Sequence, residues 1–268
     1  MTELRGMRVA VTGGARGIGR ATAARLAQAG AHVVIGDRDL ELATQVGAEL
    51  GVVALPLDVT SAGSWESFAG EAGAVDVLVN NAGIMPLGPL VEEPDEVTRR
   101  IFEVNVYGVI LGTKAFAPGM VERRRGQLVN IASAVGRLAT AHGATYSASK
   151  FAVVGFSEAM REELRPYGVD VSLVLPTVVR TELAAGVPQA RFVRQVEPED
   201  VAEVIEATIR SPRPEMWVPR WTQGLQRGVS VLPRPVQATL ARAFRSDSVL
   251  TGADPAARAA YEERARRG

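Results

Sequence analysis

The residues best suited to acid–base chemistry in this sequence are Tyr146 and Lys150, in the run Tyr146-Ser-Ala-Ser-Lys150. At a spacing of four they share one face of a helix. An ammonium beside a phenol favours the phenolate and draws the phenol toward the working range of a proton-transfer catalyst. Ser133, thirteen residues earlier, ends the run Gln127-Leu-Val-Asn-Ile-Ala-Ser133 and adds a hydroxyl. The basic residues single out Lys150, because the chain carries 28 Arg and only two Lys, at 114 and 150. Arg is a permanently charged planar fork, whereas Lys is a compact donor with a tunable pKa. A lysine kept at 150 therefore points to work that Arg cannot do. Lys114 has no comparable neighbours and reads as a solvated charge.

A second group of residues is suited to phosphate. Residues 7–11 run into Thr12-Gly13-Gly14-Ala15-Arg16-Gly17-Ile18-Gly19, followed by a helical pattern. Glycines there let the backbone turn sharply and approach a pyrophosphate at the helix N-terminus. About twenty residues on comes Gly36-Asp37-Arg38, where an acid accepts hydrogen bonds from the adenosine ribose hydroxyls. A carboxylate at 37 repels a 2′-phosphate, which favours NAD. Arg16 and Arg38 are the residues that would bind that phosphate in the alternative, NADP. Asp58 and the Val59 amide are placed to hold an adenine edge, and Asn80-Asn81-Ala82-Gly83 follows the next aliphatic run.

These groups need a scaffold that brings strand ends together. Residues 7–11, 32–35, 52–55, 75–79, 127–131 and 169–175 are short aliphatic runs flanked by Gly, Asp or Asn, and 215–218 is a seventh. They read as strands buried on both faces. Helical patterns lie between them at 17–29, 40–50, 62–72, 94–124, 144–167 and 198–209. The alternation predicts a doubly wound α/β fold, a parallel sheet of about seven strands with helices on both faces. Ligands of such sheets bind at the carboxyl ends of the strands, where all the residues above fall.

Composition narrows the chemistry. The 268 residues carry 30 basic and 30 acidic side chains, no Cys and two His. Zero net charge argues against a nucleic-acid partner. With no thiol and two His, disulfides, thiolate nucleophiles and multi-ligand metal sites are not expected. The opening residues show no apolar signal core and no apolar run is long enough to span a membrane, so a cytoplasmic protein is expected.

Thr12-Gly-x-x-x-Gly-x-Gly19, Asp58, Asn80-Asn-Ala-Gly83, Asn105, Ser133 and Tyr146-x-x-x-Lys150 together resemble the short-chain dehydrogenase/reductase family, over residues 7 to about 218. The resemblance implies hydride transfer between a nicotinamide cofactor and a carbinol or carbonyl carbon. It gives Tyr146 the proton exchange with the substrate oxygen and Ser133 a hydrogen bond to that oxygen. Lys150 lowers the Tyr146 pKa and binds the nicotinamide ribose, and Asn105 holds a water linking Lys150 to solvent. Gly13, Arg16, Gly17, Ile18, Gly19, Asp37, Arg38, Asp58, Val59, Asn81, Ala82, Gly83, Pro176, Val179 and Thr181 would line the cofactor, Thr181 at the nicotinamide carboxamide. Where the family has Pro-Gly, this chain has Pro176-Thr177, which sets a β-branched side chain beside the expected nicotinamide site.

The expected substrate surroundings are residues 84–86, 135–145 and 178–193, with Met85, Val135, His142 and Thr177 as candidate contacts. Their apolar character suggests a lipophilic secondary alcohol or ketone. A non-catalytic nucleotide sensor or scaffold is the alternative from another class, disfavoured by the intact Ser133, Tyr146 and Lys150. A homodimer or homotetramer is implied, with helices 94–124 and 144–167 at the interface. Residues 1–218 read as the dinucleotide-binding and catalytic domain. Residues 219–268 read as an Arg-rich extension with short helices at 236–244 and 255–267. Packing of this extension on the domain or a neighbour is favoured over membrane contact, because prolines interrupt any long amphipathic face.

Overall fold

The computed structural model describes residues 3–188, 195–233, 236, 239 and 250–266. Strands are β1 (Arg8–Thr12), β2 (His32–Asp37), β3 (Val53–Pro56), β4 (Val77–Asn80), β5 (Gly126–Ile131), β6 (Val169–Pro176) and β7 (Glu215–Val218). They form one parallel sheet in the order β3-β2-β1-β4-β5-β6-β7. The chain winds outward from β1 to one edge, then crosses back to β4 and winds to the other. The reversal between β1 and β4 leaves a crevice beyond their carboxyl ends.

Helices are α1 (Gly17–Gln28), α2 (Leu40–Leu50), α3 (Ala62–Ala72), α4 (Asp95–Phe102), α5 (Gly108–Glu122), α6 (Ala144–Leu164), α7 (Pro198–Arg210), α8 (Trp221–Ser230) and α9 (Pro255–Arg266). Alternation along the strands divides the core. Val9, Val11, Val33 and Ile35 face Leu26 of α1, Val46 of α2 and Ile205 of α7. Ala10, Val34, Leu78 and Leu128 face Trp65 and Phe68 of α3 and Phe116 of α5. Those three rings pack edge to face at 5.8–6.3 Å between centroids. The Trp65 indole N–H donates to the Val59 carbonyl at 3.0 Å, which fixes the loop after β3.

One helix departs from the single run expected at 94–124. Between α4 and α5 lies a π-helical turn, Glu103–Tyr107. Its widened turn carries Asn105, whose inward side chain bonds the backbone of Ile84 (described below); such π turns concentrate at functional sites. In the extension, α8 leaves Trp221 and Leu225 half exposed, while α9 returns to the crevice. The expected helix 236–244 lies outside the described residues. Among the described residues, no helix is long and apolar enough to cross a membrane, and no cluster of metal-ligating side chains occurs.

Trp65→Ala should lower unfolding free energy by about 3–5 kcal/mol, since it removes a fully buried ring and a buried hydrogen bond. The urea midpoint measures this. A loss below about 1 kcal/mol would mean that the α3–α5 layer does not depend on the aromatic triad.

Candidate active site

The crevice is a cleft of about 520 Å³, running from the β2 end to the C-terminal helix. Its nucleotide half is built on a cross-tie between β1 and β4. The Thr12 hydroxyl accepts the N–H groups of Asn81 and Ala82, both at 3.0 Å. The Asn81 side chain returns two hydrogen bonds, to the carbonyls of Thr12 at 2.8 Å and Gly13 at 3.2 Å. Gly13 has φ +63°, and a Cβ on it would lie 3.0 Å from the Ala82 Cα. A Cβ on Gly19 would lie 2.1 Å from the Gly13 carbonyl oxygen, so only glycine lets α1 start this close to the loop.

Gly13, Arg16, Gly17 and Ile18 line the cleft, whereas Gly19 acts from behind by packing. Asp37 at the end of β2 also lines it. Its carboxylate accepts the N–H groups of Ala15 at 3.0 Å and Asp39 at 3.1 Å, which orders the glycine loop. Arg38, Asp58 and Val59 continue the wall. Burial raises the Asp58 carboxyl, but hydrogen bonds from the Thr60 N–H and hydroxyl, with Arg100 and Arg38 nearby, bring it below its ordinary range. A cradle that any Cβ would fill, beside a carboxylate at ribose distance along the chain, fits a dinucleotide.

In the chemical half, α6 carries Tyr146 and Lys150 one turn apart, both buried. The Lys150 Nζ donates to the Ile131 carbonyl at 2.9 Å and lies 5.8 Å from the Tyr146 ring centroid. Burial pushes the Tyr146 phenol up to about 12, against a Ser133 side-chain hydrogen bond that lowers it. Burial pushes the Lys150 ammonium down to about 8. The net direction for Tyr146 is thus opposite to the lowering expected from Lys150. Both groups are withdrawn from water, and each disfavours its charged form.

Asn105 does not line the cleft. It sits fully buried behind Gly83, its Oδ1 accepting the Ile84 N–H at 2.8 Å. Its Nδ2 donates to the Ile84 carbonyl at 2.9 Å and the Ser149 hydroxyl at 3.1 Å. Asn81, Ala82, Gly83, Ser133, Pro176, Val179 and Thr181 all line the cleft, as do Met85, Val135 and Thr177. The Thr177 Oγ1 is buried without a hydrogen-bond partner among the described residues. His142 is the exception among the candidate substrate contacts. It has φ +60° and lines a separate groove beside Leu87, Pro89 and Glu262, with its carbonyl accepting the Gly88 N–H. Of the expected stretch 178–193, residues 189–193 lie outside the described residues.

Sequence reasoning missed the contribution of the C-terminal segment. Leu250, Tyr261, Arg264 and Ala265 line the cleft. The available signal was slight, Leu250 and Tyr261 being two among many apolar and aromatic positions of the extension.

The family model described as short chain dehydrogenase matches residues 7–191. The chain is 38% identical over 195 residues to a 2,5-dichloro-2,5-cyclohexadiene-1,4-diol dehydrogenase of Sphingobium indicum, covering 69% of this chain and 78% of that one. A short chain dehydrogenase/reductase of Burkholderia phymatum, solved in complex with NAD, superposes with TM-score 0.78 at 28% identity, over 85% of this chain and 94% of that one. A short chain dehydrogenase of Burkholderia cenocepacia, solved in complex with NADP, gives TM-score 0.80 at 29% identity, over 89% and 99%.

The low Lys150 pKa makes the stability of the fold depend on pH. Between about pH 8 and 10.5 the unfolded chain binds the lysine proton and the folded chain has released it. The penalty for burying the ammonium is therefore fully present below about pH 8, and the unfolding free energy rises with pH across this window to a plateau above about 10.5. Relative to Lys150→Met, wild type should gain on the order of 2 kcal/mol from pH 7.5 to 10. Urea titrations at both pH values measure it. A difference that does not move with pH would mean that the ammonium stays charged in the fold.

Proposed function

Because the chain belongs to the short-chain dehydrogenase family, we propose that it moves a hydride between NAD and the carbinol carbon of a lipophilic secondary alcohol, or the carbonyl carbon of the matching ketone. That it is an NAD(P)-dependent dehydrogenase of a small-molecule alcohol or ketone follows from the family itself. The observation that carries the finer reading is the meeting of Ser133, Tyr146 and Lys150 on one wall of a cleft whose other end is a glycine cradle.

When bound, the nicotinamide supplies the hydride acceptor or donor. Gly13, Gly17, Ile18 and the Asn81–Gly83 backbone hold the dinucleotide, with Asp37 at its ribose end. The Tyr146 hydroxyl gives its proton to the substrate oxygen in reduction and recovers it in oxidation. Ser133 hydrogen-bonds the same oxygen, and Lys150 works against the burial that holds Tyr146 protonated. A phenol that stays protonated at neutral pH is ready as the acid in ketone reduction. Asn105 holds the Ile84 segment and, through Ser149, the base of α6.

The preference for NAD rests on charge. Asp37 and Asp39 both line the ribose end of the cleft. Arg16 is already paired with Asp39 at 2.8 Å and Glu182 at 3.5 Å. The Asp39 carboxyl is held low first by the Leu42 N–H, against burial, and then by Arg16. Two carboxylates with their arginine engaged repel a 2′-phosphate. Arg38, with no ion pair to an acid among the described residues, is what the NADPH reading would use. Met85, Val135, Val178, Leu183 and Val187 supply an apolar substrate end, in keeping with the ring diol named for the Sphingobium relative. Exposed Phe102, Tyr107 and Phe151 on α4, the π turn and α6 support a homodimer or homotetramer through this face.

Tyr146→Phe should cut kcat roughly a thousandfold while NADH affinity stays within twofold, read by turnover and NADH fluorescence. Near-normal turnover in this variant would remove Tyr146 from proton transfer. Asp37→Asn keeps the shape and removes the charge, so the ratio of kcat/KM for NAD over NADP should fall about tenfold. An unchanged ratio would place the cofactor preference on other residues.

A further inference from the structure

We infer that Tyr261, on the C-terminal helix α9, touches the substrate and selects molecules that carry a second oxygen away from the reacting carbinol. This deepens, and rests on, the reading of the cleft as that of an alcohol dehydrogenase. Tyr261 lines the cleft, and its ring sits beneath the Arg258 guanidinium at 5.2 Å from the centroid.

The helix that presents Tyr261 is fixed to both loops at the substrate end. Arg258 is only 2% exposed, and it donates to the carbonyls of Met85 at 2.6 Å, Leu183 at 3.0 Å and Ala185 at 3.1 Å. Its Nε bonds Glu262 at 3.0 Å, and Glu262 accepts the Leu87 N–H at 3.2 Å. The Tyr261 hydroxyl oxygen accepts the Met85 N–H at 2.6 Å. Three polar groups of the Met85–Leu87 backbone, the Met85 N–H and carbonyl and the Leu87 N–H, are therefore satisfied by one helix. The phenol cannot swing away without orphaning the Met85 amide.

A tyrosine hydroxyl has one proton to donate besides its lone pairs. The Met85 amide takes a lone pair, and no acceptor for the proton is found among the described residues. Burial pushes the phenol up, so the group stays a donor throughout the usable pH range. It lines the cleft together with Met85, Val187 and Leu250, members of an apolar cluster that also holds Tyr146. Thr177 also lines the cleft, although its Oγ1 is itself buried, with no partner among the described residues. Ser133 and Tyr146 together serve one oxygen. The hydrogen-bonding capacity of the cleft thus exceeds what a simple alcohol uses. A buried donor left unpaired penalises ligands that cannot pair it, and favours those that can. The matching ligand is a ring or branched hydrocarbon with its reacting alcohol at one position and a hydroxyl, ketone or ether oxygen at another.

The test is ligand binding to the full-length chain saturated with NADH, where an alcohol has nothing to reduce. NADH fluorescence is titrated with cyclohexanol, the 1,2-, 1,3- and 1,4-cyclohexanediols, and their monomethyl ethers. At least one diol and its ether should bind about tenfold more tightly than cyclohexanol, and Tyr261→Phe should abolish that preference. Equal affinities across the wild-type series, or a preference retained in Tyr261→Phe, would overturn the inference. So would a preference for diols that the ethers lack, because Tyr261 would then be accepting rather than donating. The ligand series on wild type needs no variant to fold, and retained NADH affinity checks the fold of Tyr261→Phe. If the preference appears but NAD-coupled turnover of every member is absent, Tyr261 keeps its assignment and the proposed reaction on this substrate class is the reading that fails.

Discussion

Much of the active-site half of this molecule is arranged around one costly placement, a lysine amine buried with no carboxylate partner among the described residues. Lys150 has the Ile131 carbonyl as its hydrogen-bond acceptor and the face of Tyr146 beside it. Its neighbours follow from that placement. The backbone of the helix that carries it constrains the loop as well: a Cβ on Gly136 would lie 2.9 Å from the main-chain carbonyl oxygen of residue 150, so the loop after β5 needs glycine to pass. A Cβ on Gly83 would lie 3.2 Å from the Asn105 Oδ1 and 3.6 Å from the Lys150 Nζ. The π turn in turn delivers Asn105 to the backbone just past Gly83. An amine held this way gives up part of its affinity for protons. That makes it responsive to the charge of whatever binds beside it. An arginine there would stay charged under all conditions and could not fill the role.

The sheet and the glycine loop were legible because their signals are local. Continuous Val, Ile and Leu runs bounded by Gly and Asp mark strands buried on both faces, and a glycine series between a strand and a helix has few other uses. The ends of α2 and α3 follow from Asp39 and Ser61, whose side chains cap them, and from Gly51 and Gly73 just beyond. The π turn was not legible. Residues 94–124 keep a helical pattern throughout, and the extra residue in one turn answers to Ile84, twenty-one positions away. His142 was misplaced for a related reason. Sequence distance from Tyr146 is short, but the backbone at 142 takes a left-handed conformation and carries the residue over to the neighbouring groove. The direction of the Tyr146 shift was missed because proximity to Lys150 can be counted along a helix, whereas depth of burial cannot.

The C-terminal helix was the least legible part of the site, since its partners lie 73 to 176 positions away. In sequence it read only as part of an Arg-rich extension. Two of its arginines spend their charge on particular partners. Arg264 pairs with Glu182 at 2.7 Å, and Glu182 also faces Arg16 at 3.5 Å, so the ion pairs run from the glycine loop to α9. These pairs are exposed and individually weak. Arg258 is different. It is buried, it binds three carbonyls on two loops, and among the described residues its one carboxylate partner is Glu262.

That geometry requires a planar fork with several fixed donors, and a lysine with its single nitrogen could not span the two loops. The strong preference of this chain for arginine thus acts in opposite ways on the two buried cations. Against 28 arginines, a lysine at 150 is conspicuous and its chemistry can be inferred from the sequence. Against the same background an arginine at 258 is inconspicuous, although it is fixed into the site no less firmly than Lys150. Composition reveals a functional residue only where the chemistry needs the rarer of two alternatives. Where it needs the commoner one, only the contacts of the folded chain distinguish a buried latch from a solvated charge.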